Sequence, residues 1–431
     1  MGKFSLMKKK LSLVLGASLL VQSVIFHIHP VQAAEPIGDL KLEANSAILM
    51  EASTGQVLYE NNADVALPPA SMAKMMTEYL VMENIKSGKI KWDDMVTASE
   101  YAADVIGSGQ LIAQGEKLSV KDMFSAMSIY SANDASIALA EHIGGTEENF
   151  AKMMNDKAKE LGMSEKAHFI GATGLSRADI GKNAPAGIEG ETMMSARDAA
   201  ILAYHIINDH KEVLEFTKIP SQKLRETDKS AMINWNWMLE ANQSNVNFRK
   251  FAYPGLDGLK TGHTEEAGYC FTATAERNGM RLISVVMGTE TEPKRFEESR
   301  KLLDYGFNNY EIKLLINANA EIDSLKTVNI KKGVRTEVPL VTKTGATFVV
   351  KKGSKDDQFQ VVTESVEEAK LVAPIKKGDT LGTAKVTYEG TTQTIDLIAK
   401  EDVEKGSAIR LLFRAIGNFF GDIFSGIKGI F

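Results

Sequence analysis

The run Pro68-Pro69-Ala70-Ser71-Met72-Ala73-Lys74 constrains this chain more than any other stretch. Proline holds its own φ near about −65° and pushes the residue before it toward extended backbone. A serine follows, and then Met75, Met76, Tyr79, Leu80, Met82 and Ile85 recur with helical character. This order predicts a helix with Ser71 in its first turn, where backbone N–H groups lack partners inside the helix. Lys74 falls three residues on, so the two side chains share a face and can touch. Serine is a weak nucleophile until a nearby base takes its proton. Lysine can be that base only where burial or a neighbouring cation favours the neutral amine. The expectation is that Ser71 attacks a carbonyl and that Lys74 activates it.

The rest of the chain divides by character. Lys8, Lys9 and Lys10 precede an apolar run from Leu11 to Phe26, with Ala33 and Ala34 beyond it. That is the order of a secretory signal peptide over residues 1–34, cleaved after Ala33 or Ala34; the alternative is an uncleaved N-terminal anchor. Ser46–Glu51 and Gln56–Tyr59 read as a hairpin about Ser53-Thr54-Gly55. Ser119 caps a helix running to Tyr130, Ser131-Ala132-Asn133-Asp134 breaks it, and a second helix follows from Ala135 to His142. Ser195-Ala196-Arg197-Asp198 has capping-box spacing and opens a helix to about Ile207. Residues 171–190, rich in Gly, Ala and Pro, read as an irregular loop near the site. Gly258–Thr264, Gly268–Glu276 and Met280–Thr289 read as successive strands, the last two joined by Arg277-Asn278-Gly279. A helix from Arg295 to Phe307 closes the domain, taken as 38–315. Helical blocks around an antiparallel sheet make this a mixed α/β (α+β) domain.

From 317 to 400 short alternating runs dominate, punctuated by Lys331-Lys332-Gly333, Lys351-Lys352-Gly353 and Lys376-Lys377-Gly378. This fits a small all-β domain with nothing catalytic in it. The tail, 407–431, places apolar residues at 409, 412, 413, 416, 419, 420, 423, 424, 427, 430 and 431, the rhythm of an amphipathic helix. Its charges recur too often for a spanning helix. The expectation is a helix lying on a membrane surface. The alternative is docking on its own β-domain or on a second copy. Gly417 and Gly421 weaken it.

Ser-x-x-Lys alone says little, since it occurs at Ser5/Lys8, Ser71/Lys74 and Ser425/Lys428. Only the middle pair opens a helix in a folded domain. It gains weight from Ser131-Ala132-Asn133, just after a buried-looking helix, and from Lys260-Thr261-Gly262 in a strand-like run. A second Lys-Thr-Gly, at Lys343-Thr344-Gly345, falls between two β-domain runs and reads as a hairpin turn. Ser-x-x-Lys, Ser-x-Asn and Lys-Thr-Gly in this order form the signature of penicillin-binding proteins and class A β-lactamases.

The chain resembles the low-molecular-mass penicillin-binding proteins, serine D-alanyl-D-alanine carboxypeptidases of the serine β-lactamase/DD-peptidase-like fold. The resemblance spans 69–77, 131–135, 260–264 with Ala267-Gly268-Tyr269, and the layout of leader, catalytic domain, β-domain and amphipathic helix. It implies an acyl-enzyme on Ser71, with Lys74 as the acylation base and Ser131 relaying a proton to the leaving amine. Asn133 would hold the substrate amide. Lys260 would supply positive charge and help keep Lys74 neutral, and Thr261 would bind the terminal carboxylate. Gly262 would let substrate backbone lie along the strand, and the backbone N–H groups of Ser71 and His263 would meet the oxyanion. Arg295 resembles the family's arginine near the carboxylate pocket; the alternative is a solvated helix charge. The implied partners are peptidoglycan pentapeptide stems and precursors, with β-lactam antibiotics as covalent inhibitors, at the outer face of a bacterial cytoplasmic membrane.

Other chemistries find little footing. The net charge of −6 does not suggest a nucleic-acid binder. The single cysteine, Cys270, sits in an apolar run with no base beside it and reads as core. The histidines show no metal spacing, and neither Gly-x-Ser-x-Gly nor His-Glu-x-x-His occurs, so no cofactor is expected. The nearest rivals are a β-lactamase, whose Glu-x-x-Leu-Asn motif is absent, a DD-endopeptidase using the same chemistry, and a non-catalytic wall-binding scaffold.

Overall fold

A computed structural model describes residues 40–417. The expected leader and the end of the tail, 418–431, lie outside the described residues.

The hairpin forms as β1 (Ser46–Glu51) and β2 (Val57–Asn61). Its turn is tied by the Glu51 carboxylate, which accepts from Thr54 N–H at 2.8 Å and from the hydroxyls of Ser53 and Thr54 at 2.9 and 2.7 Å. Next comes α1 (Lys74–Lys86), buried without a break from Lys74 to Met82. A helix apolar nearly all round belongs in a core, and Lys74, Thr77 and Glu78 must therefore find partners inside it. Helices α2 (Val120–Tyr130), α3 (Asn133–Gly144) and α4 (Glu147–Glu160) pack around it, joined by α5 (Ala196–Asp209).

The caps are where side-chain oxygens following extended segments place them. Ser119 accepts from Asp122 N–H at 3.1 Å. Ser195 and Asp198 close a reciprocal capping box, Asp serving where Glu is usual. The α2–α3 break is narrower than the sequence suggests. Ser131 alone turns left-handed (φ 62°, ψ 30°), Ala132 is extended, and α3 opens at Asn133 rather than Ala135. Helix α4 has no counterpart in the sequence reading. The loop 171–190 is irregular apart from one helical turn, Arg177–Ile180, and a 3-10 turn after it.

Strands β3 (Leu256–Thr264), β4 (Gly268–Arg277) and β5 (Met280–Thr289) complete an antiparallel sheet of order β2-β1-β5-β4-β3. Arg277 pairs with Met280, leaving Asn278 (φ 51°) and Gly279 (φ 78°) as a two-residue turn of the type that suits strand twist. Ile48, Ile283 and Val285 face the helical core with α5. Leu49 and Leu282 meet Gly306 of α6 (Glu292–Asn309) on the other face. Strand β3 is the sheet's edge, and there the site is built.

Helix α6 runs directly into β6 (Tyr310–Ile316), which pairs with β9 (Ala346–Lys351) beyond β7 (Thr327–Asn329) and β8 (Glu337–Thr342). The β-rich part thus begins at Tyr310, a few residues before the boundary drawn from sequence. Strands β10 (Gln360–Ser365), β11 (Thr380–Tyr388) and β12 (Thr391–Ala399) complete a second sheet of order β7-β8-β12-β11-β10. Lys343-Thr344-Gly345 is not a hairpin turn: it carries the chain from β8 in this sheet to β9 in the two-stranded one. Lys343 there is exposed and bonds Asp396. A helix over 408–417 follows, its Arg414 donating to the carbonyls of Gly333 and Val334. Among the described residues no helix is long and apolar enough to cross a membrane.

Candidate active site

Ser71 lies in a 3-10 turn, Ala70–Ala73, that leads into α1 at Lys74. The turn is held from two sides. On β3, a Cβ added at Gly262 would sit 2.5 Å from the Pro69 carbonyl oxygen and 3.2 Å from Met72 N. The bare Cα of Gly262 is therefore needed to seat the strand against the serine turn, and not only to admit a substrate backbone. From the loop after α4, Gly174 (φ 79°) approaches so closely that a Cβ would lie 2.0 Å from the Ala70 carbonyl oxygen.

The amine of Lys74 is fully buried and lies 2.9 Å from Ser71 Oγ, 2.7 Å from Asn133 Oδ1 and 2.9 Å from the Thr173 carbonyl oxygen. Burial first, and the Lys260 ammonium second, hold its pKa well below the usual lysine range; Glu78, Asp134 and Glu147 pull the other way. A neutral amine has two N–H donors and one lone pair. Asn133 and Thr173 present acceptors for the donors, which leaves the lone pair for the Ser71 hydroxyl proton. The two side chains meet as their spacing on the chain allows.

Ser131 lines the same cleft, its Oγ buried and without a hydrogen-bond partner among the described residues. Its left-handed backbone costs an L-residue about 1–2 kcal/mol, and such strain gathers where geometry serves chemistry. Asn133 is buried deeper. Its Oδ1 is taken by Lys74, its Nδ2 donates to the Ile106 carbonyl at 2.7 Å, and it does not line the cleft. In this arrangement it orients Lys74.

Lys260 is buried under the strand, its Nζ 3.2 Å from the Thr261 carbonyl oxygen. Burial pulls it down to about 8, Arg295 adds to that, and Glu78 opposes both. Thr261, Gly262 and His263 line the cleft with Ser71, Gly107, Ser108, Trp235, Tyr269, Glu292 and Arg295, around a volume of about 380 Å³. The His263 ring stacks on Tyr269 at 4.0 Å between centroids and bonds no serine or carboxylate among the described residues, so the strand backbone is what it brings. Arg295 is no solvated helix charge. It is buried at the cleft wall, donates to the Gly262 carbonyl at 3.2 Å and to Glu292 Oε1 at 2.7 Å, and its Nε has no partner among the described residues. Burial lowers it to about 10, still charged at neutral pH.

Cys270 is buried on β4 with its thiol pushed up to about 11 by desolvation, an inert core residue. Among the described residues no group of His, Cys, Asp or Glu is placed to hold a metal ion.

Several supporting residues escaped the sequence reading. Asp134 accepts from the N–H groups of Gln110 and Ile112 and pins the loop that carries Gly107 and Ser108. Trp235 donates to the Tyr130 carbonyl at 3.0 Å and lines the cleft. Thr173 contributes only a carbonyl, for which side-chain identity gives no signal. Glu78, four residues past Lys74, was legible as a carboxylate on the same helix face.

Residues 30–291 match the family model described as D-alanyl-D-alanine carboxypeptidase, and residues 310–405 match that of the penicillin-binding protein 5 C-terminal domain. Among curated relatives, the D-alanyl-D-alanine carboxypeptidase DacF of Bacillus subtilis is 39% identical over 390 residues, covering 90% of this chain and 93% of that one. Among solved structures, the peptidoglycan synthesis regulatory factor (PBP3) from Streptococcus pneumoniae is similar with a TM-score of 0.72 at 28% identity, covering 84% of this chain and all of the other (100%). Penicillin-binding protein D2 from Listeria monocytogenes, in its ampicillin-bound form, gives 0.53 at 37% identity over 62% of this chain and 99% of that one.

Proposed function

The chain belongs to the D-alanyl-D-alanine carboxypeptidase family of serine peptidases, and from that premise we propose how its residues divide the reaction. It is a serine-type D-Ala-D-Ala carboxypeptidase that takes the terminal D-alanine from peptidoglycan pentapeptide stems and is acylated by penicillin. Ser71 Oγ attacks the carbonyl between the last two D-alanines while Lys74 takes the hydroxyl proton. Backbone N–H groups of Ser71 and His263 meet the oxyanion. The C–N bond then breaks, Ser131 passes a proton to the departing amine, and D-alanine leaves. Water cleaves the ester, returning Ser71 and a tetrapeptide stem that cannot donate to a new cross-link. Thr261, Arg295 and Lys260 select the free carboxylate at the end of the stem. A positioned base supplies about 10²- to 10⁴-fold, and each oxyanion donor about 10²- to 10³-fold.

The observation that carries this reading is the buried Lys74 amine, 2.9 Å from Ser71 Oγ with carbonyl acceptors for its own protons. A labelled penicillin followed by intact mass and peptide mapping tests it, together with D-alanine release from a pentapeptide. The adduct is expected on the peptide holding Ser71, and S71A is expected to lose both adduct and release. Rapid turnover of penicillin with no D-alanine released would make the enzyme a β-lactamase instead. Products from cross-linked against linear muropeptides separate carboxypeptidase from endopeptidase.

Export by the N-terminal leader and attachment of the tail to the outer face of the cytoplasmic membrane complete the proposal. The support is the exposure of Ile409, Leu412, Phe413 and Ile416 on the helix 408–417. Attachment there would hold the cleft near newly exported precursors.

A further inference from the structure

Glu78 is a buried carboxylate that the mechanism above leaves unused. It lies one turn beyond Lys74 on α1, wholly inaccessible to water. Ser128 donates to its Oε1 at 2.8 Å, and its Oε2 has no hydrogen-bond partner among the described residues. Ser128 sits on α2 three residues before Ser131, so the contact joins the serine–lysine helix to the helix that ends in the strained serine. A carboxylate with one neutral hydrogen bond does not stay ionised in such a place unaided. Positive charge is what can hold it, and two lysine side chains face it, Lys260 from β3, which carries the charge, and Lys74 from its own helix.

We propose that Glu78 is a positioning residue for this reaction: as an anion it is the counter-charge that keeps Lys260 an ammonium able to grip the substrate carboxylate, while Lys74 remains a free amine. The proposal rests on the roles given above to Lys74 and Lys260. The two lysines depend on Glu78 unequally. For Lys260, Glu78 is the group that favours the charged form, against burial and Arg295 on α6. For Lys74, burial and Lys260 favour the neutral form, and Glu78 shares the opposite pull with Asp134 on α3 and Glu147 on α4. Loss of Glu78 therefore falls chiefly on Lys260. Burial also raises the Glu78 carboxyl itself to about 7, against the Ser128 hydrogen bond and the two lysines. On the acid side Glu78 is protonated and gives no counter-charge; on the alkaline side it does.

The test is the rate of acylation by a fluorescent penicillin, measured from pH 5 to 10 on the full-length chain, for the parent, E78Q and E78D. Glutamine keeps the shape and the acceptor for Ser128 while removing the charge. E78Q is expected to match the parent at low pH and to fall away as pH rises through the range where Glu78 ionises. The deficit on the alkaline side should reach about tenfold for each pKa unit that Lys260 loses. E78D is expected to restore part of the alkaline rate. A deficit of the same factor at every pH, or none at any pH, overturns the proposal, because a merely structural carboxylate would not follow its own titration. Should E78Q fail to fold, S128A serves. It keeps the carboxyl but removes the hydrogen bond favouring its ionised form, so its profile should depart from the parent at neutral pH and rejoin it higher; coincidence throughout overturns the proposal. S71A run in parallel separates the two failures, since a penicillin adduct that survives in S71A sinks the assignment of the nucleophile, whatever Glu78 does.

Discussion

Lys74 Nζ lies 2.9 Å from the carbonyl oxygen of Thr173, a residue 99 positions away on a loop with little regular structure. That oxygen is one of two acceptors that turn the amine's lone pair toward Ser71. Its position depends on Gly174, whose left-handed backbone brings the loop against the serine turn. G174A would place a methyl group 2.0 Å from the Ala70 carbonyl oxygen, so the loop must retreat. The expected result is a stability loss of about 1–3 kcal/mol and penicillin acylation slowed by about 10²-fold, the scale of a 1 Å misplacement in a reacting pair. Thermal denaturation and stopped-flow acylation measure the two effects. Unchanged acylation in G174A would remove Thr173 from the account.

The two lysines predict a bell-shaped pH dependence of kcat/KM. Lys74 works as the free amine, so with its pKa held below the usual range the rate falls only as acid protonates it. Lys260 works as the ammonium, and burial lowers its pKa, so the rate falls again on the alkaline side, earlier than an ordinary lysine would allow. K74R cannot supply a free base and should lose about 10²- to 10⁴-fold. K260R stays charged, so whatever activity it keeps should persist to higher pH. D-alanine release between pH 5 and 10 is the measurement. An alkaline limb that K260R leaves in place would assign that limb to another group.

Ser131 separates strain from chemistry. Its hydroxyl has no hydrogen-bond partner among the described residues, and its backbone is left-handed. S131A keeps the backbone strain and loses only the hydroxyl, so folding stability should hold while acylation falls by about 10²- to 10⁴-fold. S131G also relieves the strain of about 1–2 kcal/mol. Against glycine's extra freedom in the unfolded chain, about 0.5–1 kcal/mol, a net gain of up to about 1.5 kcal/mol remains. A variant more stable than the parent and nearly inactive is thus expected from chemical denaturation beside acylation rates. An S131A protein with parental acylation would end the proton-relay assignment.

How much of this was legible beforehand depended on whether information sat in side chains or in backbone placement. Ser71/Lys74, the Ser195/Asp198 box and the Asn278-Gly279 turn are local, and short-range chemistry makes them readable. Ser131, Asn133 and Lys260 were readable as a set only because three spaced motifs coincide. The reasons behind them were less so. Gly262 answers to the Pro69 carbonyl and Asn133 to Lys74, both contacts made by tertiary packing. Lys343-Thr344-Gly345 looked like a hairpin turn because its flanks alternate, and alternation cannot say that the next strand joins another sheet. Helix α4 went unread, and the carbonyls of Thr173 and Ile106 could not be read at all, since any residue carries one.

The helix over 408–417 gives a last prediction. Arg414 ties it to the Gly333 and Val334 carbonyls, yet Ile409, Leu412 and Phe413 remain 68%, 60% and 69% exposed. Docking on the chain's own β-domain would have buried them. Apolar side chains of this size each gain about 1.5–3 kcal/mol on leaving water, so a membrane surface has much to offer and the β-domain little to lose. Replacing Leu412 and Phe413 together by serine should therefore weaken co-sedimentation with lipid vesicles by about 10²-fold or more, leaving the melting temperature and acylation rate unchanged. A protein ending at Lys405 should be soluble and active, because the cleft lies among α1, α2 and β3 and, among the described residues, is lined by none after Arg295. Vesicle binding that survives both changes would place the attachment elsewhere on the chain, and a lowered melting temperature in the serine double variant would point to docking between copies instead.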